Sequence, residues 1–393
     1  MTLMNADFDR ELQILVCAIA PNPAASPFWG VQHRAPGPID WTQFEALVHR
    51  HRVGALVSAA SRDLGLPPEL ATRLGSEEEA NASAYLRSIA VLREVDLAFG
   101  KVSIDWLLLK GVLLAEGFYE RPALREMIDI DLLVDQDRIE DAETVLRGLG
   151  FERYYPRYDL SAAQRTNFMT IQSAFAFIRK SDGAQLDLHW RTMQNPRFLP
   201  VIDNEWKKMT ARDGAAGFPA LAEDIHFTYV LAHGAKHGWS RLKWLADVAR
   251  MLCSTDAAGA ELLAASLERH RIGTIAGAAF RLCRSLFGTE LPTALVPFAE
   301  TDAATRNQRW AMKMIAADIP HGGAGFGDLR YLATRVRNSM SLSDHPGFKR
   351  QALLRELARP ADLEQLPLPA GASGLLAIAS PILALGRAIR PGK

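Results

Sequence analysis

Met127-Ile-Asp-Ile-Asp-Leu-Leu-Val134 sets two carboxylates, Asp129 and Asp131, into an otherwise apolar run. Such a run predicts a buried strand. Residues i and i+2 of a strand project from one face, so the two carboxylates stand side by side. Like charges this close repel, and taking them out of water is costly. A divalent cation between them relieves both penalties. Paired carboxylates with few other protein ligands suit Mg²⁺ or Mn²⁺, which keep waters and take substrate phosphates. The competing reading, a solvated edge-strand face, fits poorly with the apolar neighbours, because acids are almost never fully buried unpaired. On this view the acid pair is dispensable for folding, since removing like charges relieves repulsion.

Upstream, Ile104 to Leu109 is a compact apolar run ended by Lys110-Gly111, and Val112 to Tyr119 reads as a short helix. Helix N-termini present free N–H groups to phosphate, Gly111 allows close backbone approach, and Lys110 supplies a point charge. Downstream, Arg138 to Leu149 is an amphipathic helix closed by Gly150. Thr170 to Arg179 and Gln185 to Trp190 read as strands joined by the turn Ser181-Asp182-Gly183. Leu186-Asp187-Leu188-His189 places a third carboxylate, Asp187, on the second of these strands. With Asp129 and Asp131 it completes a two-metal site for in-line displacement at phosphorus. The alternative is an ordinary acid near a turn. His189 shares the face of Asp187, to contact substrate or hold a carboxylate, and Trp190 points into the core. Asp135, Asp137, Glu140 and Asp141 complement a helix dipole and carry no chemistry.

The fold class that follows is α+β, a small mixed sheet with helices flanked by two helical regions. The expected divisions are 1–101, 102–200 and 201–393. Before the core, Trp41, Phe44, Leu47 and Val48 recur at helical spacing, and so do Tyr85, Ile89, Leu92, Val95 and Phe99. Pro67-Pro68 marks a helix start between them. After the core, Ile225–Ala235, Leu242–Leu252, Glu261–His270, Thr305–Ala317 and Leu329–Arg337 read as helices, and Gly322–Gly327 as a flexible loop. The apolar run Gly374–Gly386 falls short of the roughly 20 residues that span a bilayer. It reads as a docked terminal helix, with a membrane-surface anchor as the lesser alternative.

Composition bounds the function. The chain has 393 residues, 48% of them hydrophobic and 23% charged, which excludes a disordered, collagen-like or coiled-coil chain. Its 45 basic residues balance 45 acidic ones, so nothing global favours nucleic acid or an anionic membrane. Cys17, Cys253 and Cys283 are widely separated and form neither a zinc ribbon nor a disulfide framework. The expectation is reduced cysteines, packed as small hydrophobes, in a cytoplasmic protein.

Strand, Gly-containing turn, helix, an acid-x-acid strand and a later single-acid strand together resemble the nucleotidyltransferase superfamily typified by DNA polymerase β. More narrowly, three segments resemble the bacterial uncharacterised nucleotidyltransferase family: Leu108–Tyr119, Leu124–Val134 and Leu186-Asp-Leu-His-Trp-Arg191. The segments His51-Arg-Val-Gly-Ala-Leu56 and His233-Gly-Ala-Lys-His-Gly-Trp239, through Trp244 and Asp247, are similar to it too. The resemblance implies that Asp129 and Asp131 bind both metals. It implies that Asp187 completes the second site and orients the attack on the α-phosphorus. Lys110-Gly111 stands where the superfamily has Gly-Ser, with Lys110 as the substitute phosphate contact. Arg125 is placed to reach phosphate, or is a surface arginine of a loop. The reaction implied moves a nucleoside monophosphate from an NTP to an acceptor and releases pyrophosphate.

His233, Lys236 and His237, at i, i+3 and i+4, share one helix face. Zinc is disfavoured, since no Glu follows His233 and no third ligand is evident. The face either closes over nucleotide or acceptor, or forms an interior network with Asp247. A small molecule, peptide or protein acceptor suits the neutral charge better than a large RNA. Two alternatives stay open, a non-catalytic nucleotide- or partner-binding module and a tRNA-modifying nucleotidyltransferase.

Overall fold

Asp129–Val134 is strand β2, the central strand of a seven-stranded mixed sheet among the described residues. The computed structural model describes residues 8–34, 37–211, 217–317, 329–366 and 368–389. The other strands are β1 (Trp106–Leu108), β3 (Phe151–Tyr155), β4 (Ala174–Arg179), β5 (Ala184–His189), β6 (Thr210–Ala211) and β7 (Ala220–Leu221). Their order is β3-β4-β5-β2-β1-β7-β6. β2 runs parallel to β5 and antiparallel to β1, and β4 and β5 form the expected hairpin.

Three strands depart from the sequence reading. β3 is an edge strand, and β6 and β7 bring residues from beyond position 200 into the same sheet through pairing of Ala220 with Leu108. The segment Thr170-Ile171 is not strand. It ends the helix Ala162–Ile171, which a reciprocal Ser161–Gln164 capping box starts.

The sheet buries both faces. On one, Leu108, Ile130, Leu132, Leu186 and Leu188 pack against helix α1 (Pro68–Lys101) through Val91, Leu92, Val95 and Phe99. Helix α2 (Val112–Phe118) follows β1, and helix α3 (Ile139–Gly148) adds Ile139 and Leu146 to that layer. Each such aliphatic side chain stabilises the fold by about 1.5–3 kcal/mol when fully buried. The opposite face carries Leu107, Leu109 and Leu133. It packs under helices α4 (Glu223–Lys236) and α5 (Leu242–Ser254) through Tyr229, Ala232, Leu245 and Val248. Strand alternation puts Asp129, Asp131, Asp187 and His189 on this second face.

The terminal helix α6 (Leu376–Ile389) docks through Leu376, Ala377 and Ser380, while Leu375, Ile378, Ile382 and Leu385 face solvent. No helix of the described residues is long and apolar enough to cross a membrane. Cys17 and Cys283 are buried thiols, but Cys253 is exposed, against the expectation for all three. The glycine-rich stretch Gly322–Gly327 lies outside the described residues.

Candidate active site

The parallel register of β2 and β5 sets Asp131 directly across from Asp187, with Asp129 one residue pair of the same face away and His189 two residues beyond Asp187. His189 Nε2 lies 3.2 Å from Asp131 Oδ1, and its Nδ1 lies 3.2 Å from the Arg191 carbonyl. The Lys110 ammonium donates to Asp131 Oδ2 and sits 3.7 Å from Asp129 Oδ1. The two carboxylates of β2 therefore differ. The Asp131 side chain is 4% exposed and partnered on both oxygens, whereas that of Asp129 is 38% exposed.

The electrostatics follow this geometry. Burial would raise the Asp131 carboxyl, but Lys110 and His189 outweigh it and hold the group well below the usual carboxylate range. Burial and the Asp131 charge push Asp187 up to about 6. Burial would lower Lys110, but Asp129 and Asp131 overcome that and hold it above the usual lysine range. Asp131, Asp187 and His189 offer ligand atoms that all lie within 4.8 Å of one another, a grouping that a metal ion fits. Asp129, expected among the ligands, stands outside that grouping and faces Lys110. His189, expected at the nucleotide, stands inside it.

The Lys110-Gly111 turn is braced from three directions. Leu109 N donates to the Asp131 carbonyl at 3.0 Å. His226 Nε2, on α4, lies 2.9 Å from the Leu109 carbonyl. Arg125 Nη1 donates to the Gly111 carbonyl at 3.4 Å. Gly111 has φ of 74°, where side chains are strained, although an added Cβ would meet nothing closer than Asp129 O at 3.7 Å.

Arg125 is not the surface arginine of the alternative reading. It is buried, and its Nε and Nη2 donate to Asp247 at 2.8 and 2.9 Å. Tyr119 Oη donates to the same carboxylate at 2.7 Å. Asp247 thus belongs to Arg125 rather than to the histidines. The i, i+2 pattern of β2 draws attention to acids on strands, and nothing in the spacing of Tyr119, Arg125, His226 and Asp247 announces this network.

The α4 face does turn toward the carboxylates. Tyr229, His233 and His237 form a ladder with ring separations of 6.1 and 4.9 Å, and His237 stacks on Trp244 at 4.7 Å. Burial and the nearby Lys110 charge keep His233 well below its ordinary value. The same two causes lower Lys236, against the pull of Asp131 and Asp187. Lys236 also lines a cavity of about 510 Å³, together with Gln194 and Asn195 from the segment after β5 and Arg335, Arg355 and Arg359 from the C-terminal region.

No curated protein and no solved structure matches the chain. A family described as uncharacterised nucleotidyltransferase matches it over residues 37–288, a span that holds all seven strands and every residue of the site except the three C-terminal arginines. With that match covering well over half of the sequence, the chain belongs to the uncharacterised nucleotidyltransferase family.

Proposed function

We propose that the chain moves a nucleoside monophosphate from an NTP to an acceptor by in-line displacement at the α-phosphorus. The observation that supports this most is the convergence of three strand-borne carboxylates on one face beside a metal-capable grouping of Asp131, Asp187 and His189. Two carboxylates of that grouping suit Mg²⁺ or Mn²⁺, with His189 as a third ligand or as the group that orients Asp131. A bound ion there supplies charge stabilisation to the phosphoryl oxygens. Lys110 and the Gly111 turn receive the phosphates. Asp187 orients the attacking group and accepts its proton. The acceptor oxygen bonds to phosphorus, the α–β bridging bond breaks, and pyrophosphate leaves with the electron pair.

For the acceptor, the cavity beside Lys236 has the size of a small-molecule site and three arginines in its wall. A small molecule or peptide bearing a carboxylate or phosphate fits that wall. The test uses α-³²P- and γ-³²P-labelled NTPs with a small-molecule extract. The α label is expected in a new product and the γ label in pyrophosphate, with both lost in Asp187→Asn. Transfer of the γ label instead would contradict the reading.

A further inference from the structure

We propose that Lys110 is a built-in cation that stands in for one of two divalent ions, so the chain holds a single metal ion and supplies the second positive charge itself. The proposal rests on the metal-assisted reading above and sets how many ions that reading needs.

The two oxygens of Asp131 are already divided between two positive positions. Oδ1 faces His189, in the grouping with Asp187 that a metal ion fits. Oδ2 accepts from Lys110, whose ammonium also lies 3.7 Å from Asp129. Lys110 therefore fills the gap between the two carboxylates of β2, the gap that the acid-x-acid spacing assigns to a cation. Asp129 then has a ligand without being a metal ligand, which explains why it lies outside the grouping.

Lys110 is not a surface lysine that has folded back onto an acid. Its side chain is 14% exposed. The residues on either side are both fixed by carbonyl contacts, Leu109 by His226 and Gly111 by Arg125. Arg125 is in turn fixed by Asp247. That much buried support aims one ammonium group at one place, as preorganised charge requires. The charges agree. With Lys236 nearby, Lys110 and one divalent ion already match or exceed the charge of the three carboxylates. A second divalent ion beside Lys110 would add two more positive charges before the nucleotide arrives. During transfer Lys110 keeps its proton and faces the triphosphate oxygens as a point charge. No bond forms or breaks at its nitrogen.

The test counts bound Mn²⁺ on the full chain by electron paramagnetic resonance, with Mn²⁺ alone and with each α,β-methylene NTP analogue at equal concentration. Wild type is expected to hold one ion at the carboxylates, without the coupled signal of two ions about 4 Å apart. Lys110→Ala, its fold checked by circular dichroism, is expected to hold a coupled pair. A coupled pair on wild type would overturn the proposal and leave metal-assisted transfer standing. A single ion on folded Lys110→Ala would overturn it as well. No bound Mn²⁺ on wild type would remove the metal reading and the proposal with it. If Lys110→Ala does not fold, the wild-type count decides alone.

Discussion

Asp131 and Asp187 face each other across two paired strands, yet their substitutions should act in opposite directions. Asp131 is buried between Lys110 and His189, so Asp131→Asn leaves a buried ammonium short of its main partner. Removing one member of a buried pair costs about 3–5 kcal/mol, and urea denaturation should show a loss of that order. Burial and the Asp131 charge oppose ionisation of Asp187. Asp187→Asn should therefore leave stability at pH 7 unchanged or raised while abolishing metal binding. The sequence expectation that the fold survives removal of the β2 acids predicts the opposite for Asp131, so the same denaturation decides between the two. That expectation saw the like charges and could not see Lys110, which lies about twenty positions upstream and meets Asp131 only through the pairing of β1 with β2. His226 gives a pH dependence. Burial lowers it from the ordinary imidazole value of about 6.5 to about 4. The unfolded chain takes up this proton near 6.5 and the folded chain near 4, so the stabilisation is complete above about 6.5 and lost as pH falls through about 4. Its size is on the order of 3 kcal/mol. Denaturation at pH 7.5 and pH 5 should show wild type losing more stability than His226→Gln, and equal losses would count against a buried neutral imidazole at the Leu109 carbonyl.

At the scale of elements, the acid-bearing strands β2 and β5 and the turn that leads into β5 were legible because each combines an apolar run with a chemical break. β2, β5, the hairpin turn and helices α2 and α3 all follow from alternation, apolar length and glycine position. What escaped did so for physical reasons. β6 and β7 have two residues each, too few for any period to register. β3 reads Phe-Glu-Arg-Tyr-Tyr, a half-exposed edge strand whose pairing with β4 decides its conformation. Thr170-Ile171 has β-branched residues, but the capping box at Ser161 propagates the helix through them. The Arg125–Asp247 pair joins the loop before β2 to helix α5. Asp247→Ala should cost about 3–5 kcal/mol, because it leaves a guanidinium buried without its carboxylate. The double variant Arg125→Met, Asp247→Leu should recover a good part of that stability. It should also loosen the Gly111 turn, which nucleotide affinity would report.

Over the whole molecule, the chain returns from far downstream to the segments that flank the acid-bearing sheet face. Arg355 Nε donates to the Gln194 carbonyl at 2.7 Å and its Nη2 to the Thr170 carbonyl at 2.8 Å, which ties the C-terminal region to the segments around β4 and β5. Sequence reading placed Arg335 on the helix Leu329–Arg337, named no element for Arg355 or Arg359, and gave the region no role, since nothing local links these arginines to acids some 200 positions away. Arg359 is exposed on the cavity wall, and Arg359→Glu should raise the KM for an anionic acceptor several-fold with NTP affinity unchanged. An equal effect on both substrates would argue that the cavity does not hold the acceptor. The central claim is that the carboxylate face binds a nucleotide through a divalent ion. Calorimetric titration of wild type and Asp187→Asn with each of the four NTPs, with and without Mg²⁺, tests it most directly. The account predicts Mg²⁺-dependent binding of at least one NTP by wild type and its loss in Asp187→Asn. Binding that persists undiminished in Asp187→Asn, or no binding of any NTP by wild type, would contradict it.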